Sequence, residues 1–194
     1  MSKLETNQVD PATGTTLTLG TSGDTIAIPS GVTIANSGTA TGFGGANTPA
    51  FEAYQSAIQT GVGDAVWTKI TMNTETFDTA GNYDNSSNYR FTPTTAGKYF
   101  VYVMAACLSD TNYKLNVANT AIYKNGSQYR STNITVNGAD RLNEANTTAT
   151  AIIDFNGSSD YVEAYARVNV TTGTGSIDAR LGSGGFGAYK IIGA

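Results

Sequence analysis

At 194 residues, with 22 glycines, 4 prolines and 40% hydrophobic residues, the chain is long enough for one sizeable core and an appendage. Its 15 acidic and 11 basic side chains are 13% of the sequence and leave a net charge of -4, so no basic patch invites nucleic acid. The lack of histidine excludes Ser-His-Asp and Cys-His nucleophilic catalysis, and one cysteine alone cannot furnish a usual zinc site.

The start, Met1-Ser2-Lys3-Leu4-Glu5-Thr6, has no apolar core of a signal peptide, and the longest apolar runs are strand-length, so neither classical secretion nor membrane insertion is expected. Residues 1–49 differ from the rest. No charged side chain lies between Thr25 and Phe51, and apolar pairs recur: Leu17 with Leu19, Ile26 with Ile28, Val32 with Ile34. Such pairs predict strands of three to five residues separated by tight turns, too little for a core within one chain. Three chains winding together could build one, as in a fibre shaft; a Gly/Thr linker is the other reading. Gly42 to Pro49 reads as the linker into a second unit, residues 50–194.

That unit reads as a succession of strands and nothing in it as a long helix. They are expected around Phe51 to Ser56, Val66 to Met72, Asn88 to Phe91, Lys98 to Leu108, Lys114 to Lys124, Tyr129 to Val136, Thr147 to Phe155, Tyr161 to Asn169 and Gly185 to Ile192. Pro93 cannot donate to a sheet and ends the Phe91 strand, while Gly97 supplies a permissive backbone from which the next strand departs. From Lys98 to Leu108 both faces are apolar. Tyr99, Val101, Val103, Ala105 and Cys107 point one way, and Phe100, Tyr102, Met104, Ala106 and Leu108 the other. One face belongs to a sandwich core with Phe155, Val162 and Ala164; the other requires a second cover, for which a neighbouring subunit is the candidate. Tyr161, Glu163, Tyr165 and Arg167 alternate with the core positions and face outward, suiting a subunit interface or, second, a sugar platform. Candidate interface residues are therefore Phe100, Tyr102, Tyr161, Tyr165 and, on the last strand, Tyr189.

Several of these runs resemble the C1q and tumour-necrosis-factor (TNF) superfamily. Phe91, Gly97 and Tyr99 stand in register with its Phe, five residues, Gly-x-Tyr pattern; the next aromatic, Phe100, falls one place early, and Pro93 stands one place before its position in many members. Phe51-Glu52-Ala53, Ile122-Tyr123-Lys124-Asn125-Gly126 and Phe186-Gly187-Ala188-Tyr189-Lys190-Ile191 follow in the family's order. The resemblance covers about residues 50–194, the size of one such domain. It implies an all-β, C1q/TNF-like jelly-roll sandwich and a homotrimer. Thr15 to Pro29 is in turn similar to N-terminal stretches of marine bacteriophage structural proteins.

Asp154, Asp160 and Glu163 are close enough in sequence to suggest a glycosidase pair, but carboxylates beside the Asn156-Gly157-Ser158-Ser159 turn are more simply turn formers. Tyr83-Asp84-Asn85 and Asp110-Thr111-Asn112 do not reach a diagnostic calcium spacing. No catalytic residue, metal or cofactor is assigned, and Cys107 is read as a buried structural thiol. The sequons at Asn85, Asn125, Asn133, Asn146, Asn156 and Asn169 are read as Asn- and Thr-rich loops.

Two functions follow. The first is a homotrimeric phage virion protein, fibre or decoration, on tail or capsid, with residues 1–49 contacting other virion proteins. Its head would face outward, toward a host-surface glycan or protein, or would stabilise the particle. Loop residues Asp110, Asn112, Tyr113, Asn137, Asp140, Arg141, Asn143, Thr172 and Thr174, within Asp110 to Tyr113, Asn137 to Asn143 and Thr171 to Ser176, are the recognition candidates. The alternative is a non-viral, soluble C1q-like recognition module, lectin-like or ligand-like.

Overall fold

A computed structural model describes residues 9, 11, 13–35, 37, 47–136 and 141–192. Its contacts divide the chain into two compact units, Met1–Phe43 and Gly44–Ala194. The second unit contains β1 (Ala50–Tyr54), β2 (Gln59–Val62), β3 (Trp67–Lys69), β4 (Thr74–Asp78), β5 (Tyr83–Asp84), β6 (Arg90–Phe91), β7 (Gly97–Ser109), β8 (Leu115–Lys124), β9 (Ser127–Thr135), β10 (Glu144–Phe155), β11 (Val162–Val170), β12 (Gly175–Asp178) and β13 (Gly185–Lys190).

Two antiparallel sheets are formed, each around a long central strand. In the 7-stranded sheet, β7 pairs with β10 along one edge, while its other edge is shared by β13 and β12. Beyond these lie β1 and β4 on one side and β2 on the other. In the 6-stranded sheet, β11 pairs with β8 along one edge and divides the other between β6 and β3; β8 carries β9 as the outer strand.

Alternation dictates what lies between the sheets. In β10 the pattern is strict: Ala145, Thr147, Ala149, Ala151, Ile153 and Phe155 are buried, and the residues between them exposed. Tyr99, Val101, Val103, Ala105 and Cys107 of β7 are fully buried, as are Val162, Ala164 and Ala166 of β11. At one end Phe51 stacks on Tyr83 at 4.6 Å and on Phe91 at 4.4 Å and meets Phe186 edge-on at 4.9 Å; Tyr99 meets Phe155 at 5.1 Å. Such ring pairs add about 0.5–1.5 kcal/mol each beyond the area they bury. Their hydroxyls are satisfied: Tyr83 donates to the Met72 carbonyl at 2.9 Å and Tyr99 to that of Thr95 at 2.8 Å.

Short polar strands escape the sequence pattern. β2, β4, β5 and β12 have no strong apolar alternation and are held by neighbours; β12 also claims Gly175 and Ser176, expected to be loop. A buried glutamine ties this region together. Gln55 accepts from the Ala179 amide at 2.8 Å, its own amide N–H reaches the Ala179 carbonyl at 2.9 Å, and its Nε2 donates to Gln59.

The first unit contains no strand among its described residues, contrary to the short strands expected there. Its backbone turns at Thr21–Asp24, where Asp24 accepts from the Thr21 amide at 2.7 Å, and again at Pro29–Val32. Leu17, Leu19, Ile26, Ile28, Val32 and Ile34 are all exposed. Strands require a partner edge, and within this unit the described residues offer none.

Candidate self-association face and recognition loops

The second face of β7 emerges from the sandwich only partly covered. Phe100, Tyr102 and Leu108 are half-buried, Met104 is exposed and Ala106 is buried. Register fixes what surrounds them. Ile152 and Tyr189 flank Phe100, and Thr150 and Gly187 flank Tyr102. Glu52 lies beyond Gly187, and Phe77 beyond Glu52. Ile152 is 59% exposed, Phe77 45% and Tyr189 42%. Phe100 lies 5.5 Å from Tyr189 and 6.4 Å from Tyr102, so one sheet face presents a continuous aromatic and aliphatic patch.

Glycine makes room for this arrangement. A Cβ built on Gly187 would stand 2.5 Å from the Tyr102 hydroxyl and 2.6 Å from its ring, because the ring lies across the β13 backbone. The hydroxyl reaches the Glu52 carboxylate, and burial, followed by that negative charge, pushes the phenol well above its ordinary value.

Tyr161 and Tyr165 are not part of this patch; they belong to the other sheet. Tyr165 stacks on Tyr123 at 4.0 Å, Trp67 meets Tyr123 edge-on at 6.1 Å, and the Arg90 guanidinium lies 4.2 Å above the Tyr161 ring. Glu163, expected outward, is on that face but buried: Lys69 closes on it at 2.6 Å and Arg90 at 3.3 Å. A carboxylate can be covered there because two cations cover it.

The recognition candidates fall partly together. Asp110 accepts from the Thr174 amide at 2.8 Å and hydroxyl at 2.7 Å, lacing the 110–113 turn to the β11–β12 connection. Asn143 is drawn to the same place, accepting from the Tyr113 amide through Oδ1 and from the Ser109 amide through its carbonyl. Asn112, Tyr113 and Thr172 are exposed there. Arg141 is half-buried beside this group in sequence; Asn137 and Asp140 lie outside the described residues.

The other chemistry-bearing groups serve the scaffold. Asp160 pairs with Lys124 at 3.0 Å, and Asp84 accepts from the Ser86, Ser87 and Asn88 amides. Among the described residues no group of three His, Cys, Asp or Glu side chains is placed to hold a metal. Cys107 is buried, which pushes its thiol up to about 12. The sequence reading missed Ile152, Phe77 and Glu52 on the first sheet and Trp67 and Tyr123 on the second. The signal for Ile152 was available in the β10 alternation, which puts it opposite the core.

No protein-family model matches the sequence, and no curated protein matches it. The fold does have solved counterparts. Murine APRIL at pH 5.0 is similar with a TM-score of 0.51 at 8% identity, over 73% of this chain and 98% of that one. Eiger TNF from S. frugiperda is similar with a TM-score of 0.50 at 12% identity, over 75% of this chain and 93% of that one. The second unit is thus an all-β sandwich of the TNF/C1q type, a jelly roll of two antiparallel sheets.

Proposed function

We propose that this protein is a self-associating recognition module, lectin-like or ligand-like, whose C1q/TNF-like head assembles in threes through the outward face of β7, β10 and β13. The observation that carries the reading is the Phe100, Tyr102, Ile152 and Tyr189 patch. Four large side chains occupy contiguous positions on the outward face of one sheet, with Ile152 and Tyr189 exposed and Phe100 and Tyr102 only half-buried. Likeness to TNF-type solved structures, over 73% and 75% of this chain, supports a ligand-like role over the virion protein expected first. Three heads per assembly would place the Asp110–Thr174 loop cluster in triplicate, so that weak single contacts add.

The virion reading, a phage fibre or decoration protein, is kept as second because of one observation: the uncovered apolar pairs from Leu17 to Ile34, which three parallel chains would cover. Expression of the chain alone tests the first reading. It should purify as a soluble three-chain assembly without any particle; a monodisperse monomer, or a chain soluble only when particle proteins are co-expressed, overturns it.

A further inference from the structure

The 6-stranded sheet presents a second outward face that the self-association reading does not use. One register row crosses four strands there: Trp67 of β3 stands opposite Arg167 of β11, Arg167 opposite Asn119 of β8, and Asn119 opposite Asn133 of β9. An indole-bearing, a guanidinium-bearing and two amide-bearing residues thus occupy neighbouring register positions on one sheet face, with the indole also meeting Tyr123. The Arg167 Nε donates to the Ala65 carbonyl at 2.9 Å, which fixes the side chain, while its two terminal nitrogens have no partner among the described residues. Asn119 donates through Nδ2 to Asn133 Oδ1 at 2.8 Å and to the Thr132 carbonyl, yet its Oδ1 is buried with no partner. The row carries a positive charge and no carboxylate. Glu163, on the same strand as Arg167, is enclosed by Lys69 and Arg90, and Asp64 is occupied by Asn169 and the Val170 amide.

We infer that this row is a binding platform for a carboxylate-bearing sugar residue, a uronic or nonulosonic acid unit of a glycan. The apolar face of the sugar ring stacks on the Trp67 indole, whose one ring contact among the described residues is the T-shaped approach to Tyr123. The sugar carboxylate takes the free fork of Arg167, whose planar donors match it in a bidentate pair. Ring hydroxyls meet the exposed amide of Asn133, which retains donor and acceptor capacity beyond its bonds to Asn119 and Thr135. A neutral sugar leaves the guanidinium unmatched, and a simple anion leaves the indole unused. Charge complementarity and a stacking surface together select the acidic saccharide.

The inference rests on the recognition-module reading and supplies its ligand class, but it uses the opposite sheet, so the two can fail separately. Trp67 is the chain's single tryptophan, so the site reports on itself. Titrating the full chain with 3′-sialyllactose and with digalacturonate should change tryptophan emission saturably for at least one of them, whereas lactose and inorganic phosphate should not. Arg167→Gln should weaken the response about tenfold or more, and Phe100→Glu should leave it unchanged. Trp67→Phe, read by ligand-observed NMR, should weaken binding while keeping an aromatic in place, which covers the case of an Arg167 variant that fails to fold. No saturable response to either acidic sugar, an equal response to lactose or phosphate, or full binding by folded Arg167→Gln or Trp67→Phe overturns the platform. A three-chain mass without a sugar response defeats the platform alone; a one-chain mass with that response defeats the self-association reading alone.

Discussion

Glu163 is the residue whose environment departs furthest from its chemistry, a carboxylate only 3% exposed at the surface of a sheet. Its two cations are each about a third exposed, so solvent screens them and the pair does not approach a fully interior one. Glu163→Gln should still cost about 1–3 kcal/mol, the range for losing charged hydrogen bonds at a covered site. Urea unfolding would read it, and an unchanged midpoint would show that Lys69 and Arg90 are equally content with water. The aspartates give a pH dependence of definite sign. Hydrogen bonds from Arg180 hold Asp178 below its ordinary value of 3.8, and those from Thr174 and Asn125 do the same for Asp110 and Asp160. A carboxylate depressed in the folded state stabilises that state above the unfolded value and ceases to as pH falls through the folded one. The melting temperature should therefore hold above about pH 4 and decline below it, less steeply in Asp178→Asn. A flat profile down to pH 2 would count against these loop anchors.

Turns fix how one strand leaves for the next, and the 156–160 connection, which carries the chain from β10 in one sheet to β11 in the other, shows how tightly. Asn156 accepts through Oδ1 from the Ser158, Ser159 and Asp160 amides, and Gly157 adopts φ +72° with a virtual Cβ 2.4 Å from the Ala96 nitrogen. Gly157→Ala combines backbone strain with a clash against main chain and should destabilise the head by about 1–3 kcal/mol in chemical unfolding. The long strands were legible because their apolar residues repeat at period two: β7, β10 and β11 each buried the face that the pattern selected. Gly97, at φ +135°, does launch β7, and Pro93 stands past the end of β6. β2, β4, β5 and β12 were illegible for the converse reason: segments such as Gln59–Val62 and Gly175–Asp178 become strands only because a neighbour supplies the hydrogen bonds. For the candidate site, Phe100, Tyr102 and Tyr189 were visible as apolar residues on the wrong side of core strands. The sequence could not show that Tyr161 and Tyr165 lie on the opposite sheet, since strand parity says outward without saying which sheet.

At the scale of the molecule, the head carries its own core and hydrogen bonding. β1 begins at Ala50, whose amide and carbonyl are both held by Thr79, so residues 47–194 should fold alone, with the cooperative unfolding of the full chain. A truncated chain lacking a cooperative transition would mean that the first unit contributes to the head's stability. The central claim concerns the outward face of β7, β10 and β13, and the most direct test is the light-scattering mass of the full chain beside its Phe100→Glu and Ile152→Glu variants. Phe100 and Ile152 are register partners on that face, and a charge placed at either should be rejected from a closed interface while remaining soluble in a separate head. The predicted result is three times the 20.2 kDa chain mass for the native protein and a single chain mass for each folded variant. A native protein that stays at one chain mass, or variants that keep the three-chain mass, would contradict it.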